Sequence, residues 1–390
     1  MASARTMFLL PATLLTALVG LALLFGPSLV ARHLNRVLPA PGSPPGAEAR
    51  ALHATLMVAD LHTDALLWRR SLTRRGGYGH VDVPRLAEGR VGLQGFTVVT
   101  RTPRGMNIEA NTGDSDQITP LVMLQAWPPR TWTRLVERAI HQASRLHRAA
   151  ERSGGRLTVV TSRAELDRHL ERWSRGEESV AGILGIEGAH ALEGDLANLD
   201  RLHGAGFRML GLTHFFDNEV GGSAHGVVRG GLTDFGAAVL ARAAELGILV
   251  DLAHASPALM RDVLARATHP VVVSHGGVRG TCDNTRNLTD AQVRDVAATG
   301  GVVGIGLWAT AVCGETVADW ARAVRYVADL VGVEHVALGS DWDGAVEAIV
   351  DASGTIHLTR ALLDQGFGAD DVRRILGENV VRVWRETLPR

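Results

Sequence analysis

The sequence predicts a (β/α)8 barrel of the TIM type, an α/β fold with a binuclear metal site at the strand C-termini and one transmembrane helix before it. Three observations predict it. Eight short apolar runs recur between residues 55 and 341. Amphipathic stretches of helical period lie between most of them, and buried parallel strands alternating with helices define an α/β architecture. A histidine or a carboxylate closes run after run, and in a closed barrel all strand C-termini open on the one face that carries chemistry. A doubly wound open sheet is the alternative that alternation alone leaves open.

Taken in order, residues 7–30, "MFLLPATLLTALVGLALLFGPSLV", form an uncharged stretch of 24 residues, long enough to cross a bilayer as a helix. A cleaved signal peptide has a shorter apolar core and a small-x-small cleavage site, so residues 1–36 are expected to be an uncleaved anchor, with cleavage as the alternative. Residues 37–50, opening "VLPAPGSPPGAE", are rich in Pro, Gly and Ala and read as a linker; residues 51–390 then form the catalytic barrel. The apolar runs are 55–62, 91–99, 180–187, 207–214, 247–254, 269–275, 300–308 and 335–341. Helices are expected over 131–152, 235–246, 257–267, 289–298 and 315–331. "LTVV" at 157–160 reads as an extra strand, and the polar, Pro-containing segment 101–130 as an insertion over the barrel mouth.

Composition removes several function classes. A formal net charge of -1 supplies no field favouring nucleic acid. All 40 basic residues are Arg. The lack of Lys excludes Schiff-base lysines, Walker A lysines and any lysine-derived metal ligand. G-x-S-x-G, H-E-x-x-H and C-x-x-C motifs are also absent.

The strand ends carry the chemistry. "DLHTD" at 60–64 puts Asp60, His62 and Asp64 at alternate positions where a buried strand ends. Alternate strand residues share a face, so these groups need partners or a cation. Glu187 closes the third run, His214 the fourth, His254 the fifth, His275 the sixth and Asp341 the eighth. Histidine with carboxylate and no thiolate suits Zn, Mn or Fe(II) in a catalytic site. The set is too large for one four-coordinate ion; two ions sharing a bridging carboxylate would use it. Asp60 lies deeper in its strand and reads as a structural hydrogen-bond acceptor. His190 is a candidate for supporting a ligand, Asp343 for support or a turn cap, and His203 and His269 read as non-functional.

"DLHTD", "GIEGAH", "GFRMLGLTH", "GLTDFG", "LVDLAHAS", "VVVSH", "NTRNL" and "ALGSDWDG" occur in an order and spacing that resembles the membrane dipeptidase (renal dipeptidase, peptidase M19) family, a group of amidohydrolase-type metal barrels, over residues 52–388. The resemblance implies that His62 and Asp64 bind one zinc or similar divalent ion, His254 and His275 a second, and that Glu187 bridges them. It implies that His214 polarises the scissile carbonyl, that Asp341 is the acid/base and meets the substrate amine, and that Arg286 receives the substrate carboxylate. It implies a disulfide between Cys282 and Cys313, and hence an anchor with its N-terminus in the cytoplasm and a barrel in an oxidising compartment, periplasmic or extracellular. The substrate implied is a dipeptide, with a D-residue at its C-terminal position within the family's range, and a homodimer is compatible. The mammalian members of the family carry a Tyr on strand seven near the substrate carboxylate; here Trp308 or Thr310 occupies that neighbourhood. Their lipid anchor is C-terminal, whereas this sequence ends "RETLPR" and its expected anchor is at the other end. Two other classes remain open at this point: a binuclear hydrolase of N-acyl amino acids, lactones or β-lactams, and a tethered, inactive binding protein.

Overall fold

The computed structural model describes residues 20, 23–39 and 44–390. Nine strands run through these residues: β1 (Val58–Thr63), β2 (Val91–Phe96), β3 (Leu157–Val159), β4 (Val180–Ile186), β5 (Phe207–Gly211), β6 (Leu249–Asp251), β7 (Val272–Gly276), β8 (Val302–Ile305) and β9 (Val336–Leu338). Every pairing among them is parallel, and β1 joins both β2 and β9. Pairing of β2 with β4, Leu93 opposite Ala181, closes eight strands into a barrel. That closure removes the open-sheet alternative. β3 is the ninth strand, lying beside only the first residues of β4, Leu157 opposite Val180. The eight apolar runs are the eight barrel strands, and "LTVV" is the extra one.

Several helices begin where a side chain satisfies their free N–H groups. Thr289 and Gln292 form a capping box at the start of Asp290–Ala298, and Thr316 with Asp319 does the same for Val317–Val331. Ser256 accepts from Leu259 N–H, with Pro257 in the first turn. The expected 131–152 helix is two pieces, Arg130–Thr133 and Leu135–Arg152, broken at Arg134, whose backbone is extended.

One small apolar cluster takes Ala59 and Leu61 of β1, Leu93 of β2, Met209 of β5 and at least one residue from each remaining barrel strand. That cluster is the barrel interior. Val380, Val383 and Trp384 of the last helix, Asn379–Thr387, plug it. Burying each such side chain stabilises by about 1.5–3 kcal/mol. The preceding turn comes so close to β1 that a Cβ at Gly377 would lie 2.3 Å from Met57 O. With its N-terminal end plugged, the barrel is open to ligands at the strand C-termini.

The N-terminal expectations need correction. Most of the apolar stretch 7–30 lies outside the described residues, but 23–34 are a helix, α1, that packs on the barrel mouth. Among the described residues no helix is long and apolar enough to cross a membrane. Pro27, Ala31 and Asn35 are buried at a spacing of four, one face of a helix. Within the expected linker, 37–50, residues 40–43 lie outside the described residues, and the chain on either side of them is engaged. Val37 bridges Ala348, Leu38 N–H donates to Ala348 O at 2.9 Å, and residues from Ala47 onward belong to a second helix, α2 (Ala47–His53). Composition reads as a linker, but backbone pairing with the loop after β9 holds Val37 and Leu38.

Candidate metal centre and substrate pocket

The residues expected at the strand ends converge. Glu187, immediately after β4, is their centre. Its Oε1 lies 3.1 Å from His254 Nε2, 3.4 Å from His275 Nε2 and 3.8 Å from His62 Nε2. Its Oε2 lies 3.4 Å from His214 Nε2. His62 Nε2 is also 3.6 Å from Asp64 Oδ1 and 4.0 Å from Asp341 Oδ1. Two groups with metal-holding geometry share Glu187: His62 with Asp64, and His254 with His275. All are buried. Parallel strands ending on one rim bring together residues up to 279 positions apart in sequence, His62 and Asp341.

The surrounding hydrogen bonds prepare the imidazoles. Ser274 Oγ lies 3.0 Å from His62 Nδ1 and 2.9 Å from His275 Nδ1, and donates its proton to Asp251 Oδ2 at 2.6 Å. A hydroxyl that has given its proton away can only accept from both rings. His62 and His275 therefore carry a proton on Nδ1 and turn Nε2 toward the Glu187 side. Among the described residues His62 Nε2 has no hydrogen-bond partner, and the Nε2 atoms of His254 and His275 stand 3.0 Å apart. Ring nitrogens crowded around buried carboxylates need positive charge among them, supplied by a proton or by a metal ion. Nitrogen and oxygen donors without thiolate suit borderline divalent ions.

Electrostatics point the same way. Burial, with Asp64 nearby, pushes the Glu187 carboxyl well above its usual range. Burial likewise pushes Asp341 up to about 8. Burial works against a charge on His62, but Asp64 and Glu187 outweigh it and raise the ring to about 10. Burial and neighbouring cationic groups lower His214, His254 and His275. The carboxylates crowd one another and need positive charge between them.

Two ligand-bearing loops hold unusual backbone. His254 has φ 63° and Asp341 φ 58°, the left-handed region that non-glycine residues rarely enter. Such conformations persist where the surroundings over-determine them, and they concentrate at functional sites. Here they turn each side chain off its strand end into the rim.

A pocket of about 580 Å³ opens over this cluster. Arg286 lines it and is buried. Its Nη2 donates to His275 O at 2.8 Å and lies 3.4 Å from His254 Nε2, with the guanidinium 5.8 Å from the Trp308 ring centre. A disulfide joins Cys282 to Cys313, linking the Arg286 loop to the loop carrying Trp308 and Thr310. Asn284 Nδ2 donates to Thr310 O at 2.9 Å across the same junction. The 101–130 insertion contributes Thr102, Met106, Ile108, Ile118 and Leu121 to the pocket wall.

Other candidates fall elsewhere. Asp60 accepts from Gln94 Nε2 at 2.6 Å and from Ser340 N and Oγ at 2.7 and 2.8 Å, a structural cluster as expected. Asp343 accepts from His80 N, Val81 N and Arg70, which ties the loop after β9 to the chain after β1. His190 bonds Thr100 Oγ1 at 3.0 Å and lines a different surface cavity. Three contributors escaped the sequence reading: Asp251 and Ser274, which orient the ligands, and His225, whose ring stands 5.2 Å from that of His254. Asp251 carried the same signal as Asp60, a carboxylate inside an apolar strand. His225 sits in a loop without a pattern.

Comparison with known proteins agrees. A family model described as membrane dipeptidase (peptidase family M19) matches residues 46–388. Dipeptidase aclJ of Aspergillus oryzae is 30% identical over 347 residues, covering 84% of this chain and 77% of that protein. The crystal structure of the dipeptidase AC, a metallopeptidase of family M19, superposes with a TM-score of 0.70 at 26% identity, covering 86% of this chain and 100% of that one. A metallopeptidase from Rhodobacter sphaeroides, liganded with a phosphinate mimic of the dipeptide L-Ala-D-Ala, gives the same TM-score and identity over 85% of this chain and 99% of its own.

Proposed function

Because this chain belongs to the membrane dipeptidase family, peptidase family M19, and is accordingly a hydrolase acting on peptide bonds, we propose that it is a two-zinc dipeptidase whose substrates include dipeptides with a C-terminal D-residue. The observation that carries this is the pair of ligand groups sharing Glu187, flanked by Arg286 on the His254–His275 half and Asp341 on the His62 half. His62 and Asp64 would hold one ion, His254 and His275 the other, and Glu187 both. Two divalent ions bound there supply an activated water nucleophile at neutral pH and positive charge for the carbonyl oxygen.

The chain's own residues do the rest. Arg286 grips the substrate carboxylate; its fork-shaped donors suit a planar anion. Asp341 pairs with the free amine, takes the proton of the attacking water and delivers it to the leaving amine. His214 donates a hydrogen bond to the carbonyl oxygen as negative charge develops there. A cation and an anion on either side of the ligand cluster favour a zwitterion with one peptide bond. A long peptide would leave both pocket charges unpaired. The phosphinate mimic of L-Ala-D-Ala on the Rhodobacter sphaeroides relative supports including a C-terminal D-residue.

We further infer that the apolar residues preceding α1 anchor the barrel of residues 51–390 to a membrane, with the barrel outside the cytoplasm. The Cys282–Cys313 disulfide supports an oxidising compartment. Leu23, Leu24 and Phe25, exposed on α1, extend the apolar stretch that precedes them.

The test uses zinc-loaded full-length protein. Elemental analysis is expected to give about two ions per chain, with Ala-D-Ala and Ala-Ala cleaved far better than their C-terminal amides. Glu187→Gln should lose metal and activity together. Full activity in metal-free protein would refute the reading.

A further inference from the structure

Residues 23–38 precede the 46–388 span matched by the family model, yet they build part of the substrate pocket. Val30 and Leu34, one helical turn apart on α1, line the same cavity as Glu187, His254 and Asp341. Both are partly open to solvent, 37% each, so neither is consumed by packing. The helix that carries them is firmly seated. Ala31 is buried with Trp68, Ile118, Val122 and Trp127. Asn35 Oδ1 accepts from Ala345 N–H at 2.9 Å, and Arg69 Nη1 donates to Leu23 O at 2.9 Å.

The seat fixes which end of a substrate meets this wall. Ala345 stands four residues after Asp341, and Gly344, Ala345 and Val346 line the pocket beside Leu34. Leu67 and Trp68, which follow Asp64, continue the same apolar surface. The wall thus belongs to the Asp341 half of the site, away from Arg286. A two-residue substrate of small side chains would leave much of the 580 Å³ cavity unfilled.

We propose that α1 is a specificity element: Val30 and Leu34, with Leu67 and Trp68, form an apolar subsite for the side chain of the substrate's N-terminal residue, so the enzyme prefers dipeptides with a large apolar residue there. This rests on the dipeptidase reading above, and specifically on Asp341 meeting the amine. Burying an apolar side chain against such a wall improves turnover of the correct substrate over one that lacks it.

The experiment compares kcat/KM of the zinc-loaded full-length enzyme on Gly-Ala, Ala-Ala, Leu-Ala and Phe-Ala, each with L- and D-alanine. Leu-Ala and Phe-Ala are expected to exceed Gly-Ala by about tenfold or more. The double variant Val30→Ser, Leu34→Gln should lose most of that ratio, and Val30→Leu should keep it. Leu24→Gln lies on the same helix but outside the pocket, and should leave both the ratio and the turnover of Gly-Ala as in the wild type. A flat wild-type series, or an unchanged ratio in the double variant, overturns the subsite while the dipeptidase reading stands. A ratio that falls equally in Leu24→Gln overturns the direct contact. Failure to cleave any of these dipeptides brings down the dipeptidase reading itself, and the subsite with it.

Discussion

The hydroxyl of Ser274 donates to the Asp251 carboxylate at 2.6 Å, so the same oxygen can only accept from His62 and His275. One hydrogen bond therefore sets the tautomers of two metal-facing imidazoles on different strands. Ser274→Ala is expected to weaken metal binding by about 10–100-fold, because partners that orient a ligand contribute on that scale. Titration against a chelator of known affinity measures it. Excess zinc should restore activity; unchanged affinity would show that the rings need no such support.

Arg286 is buried beside His254 and His275, not on the surface. Arg286→Ala should cost about 2–5 kcal/mol of transition-state stabilisation toward a dipeptide with a free carboxylate. Toward the C-terminal amide the loss should be much smaller, so the preference for free acid narrows. Equal losses on both substrates would assign the guanidinium to structure alone.

The Cys282–Cys313 bond closes a loop across a sequence separation of 31. Chain-entropy arguments give such a cross-link about 3–4 kcal/mol of stability. Because the bond ties the Arg286 loop to the Trp308 loop, reduction should also raise KM for dipeptides. Denaturant melts with and without dithiothreitol, alongside KM, measure both effects. Thiol labelling of unreduced, denatured protein should find no free thiols.

His53, at the end of α2, is buried with Nδ1 2.8 Å from Thr359 Oγ1. Burial, aided by the Arg90 cation, lowers its pKa from 6.5 to about 4. Between those values the unfolded chain binds a proton that the folded chain refuses. Stability is thus undiminished by this group above about pH 6.5 and falls as pH drops toward 4, by up to about 3 kcal/mol. His53→Gln should flatten that part of the stability–pH curve relative to wild type. Parallel curves for the two proteins would contradict the assignment.

Most of the barrel and its first ring of candidate ligands are legible in the amino-acid sequence. Eight apolar runs are eight strands because a fully buried parallel strand must be apolar on both faces. His62, Asp64, Glu187, His214, His254, His275 and Asp341 stand out because metal-capable groups recur at the same end of run after run. Arg286 is different. Only its resemblance to a family motif marks it, since nothing local separates a pocket arginine from a surface one.

The sequence by itself determined the number of barrel strands, the α/β alternation and the donor types, because periodicity and burial are local, one-dimensional properties. Only the tertiary structure decided that Glu187 is the centre of the cluster, that Ser274 and Asp251 set two tautomers, and that α1 walls the pocket. Those are distances between strand ends and loops far apart in the chain, and barrel closure creates them. The N-terminal segment is the clearest case. Its apolar composition reads as membrane or linker in isolation, and the loop after Asp341, which pairs with Asn35 and Leu38, turns its end into part of the substrate site.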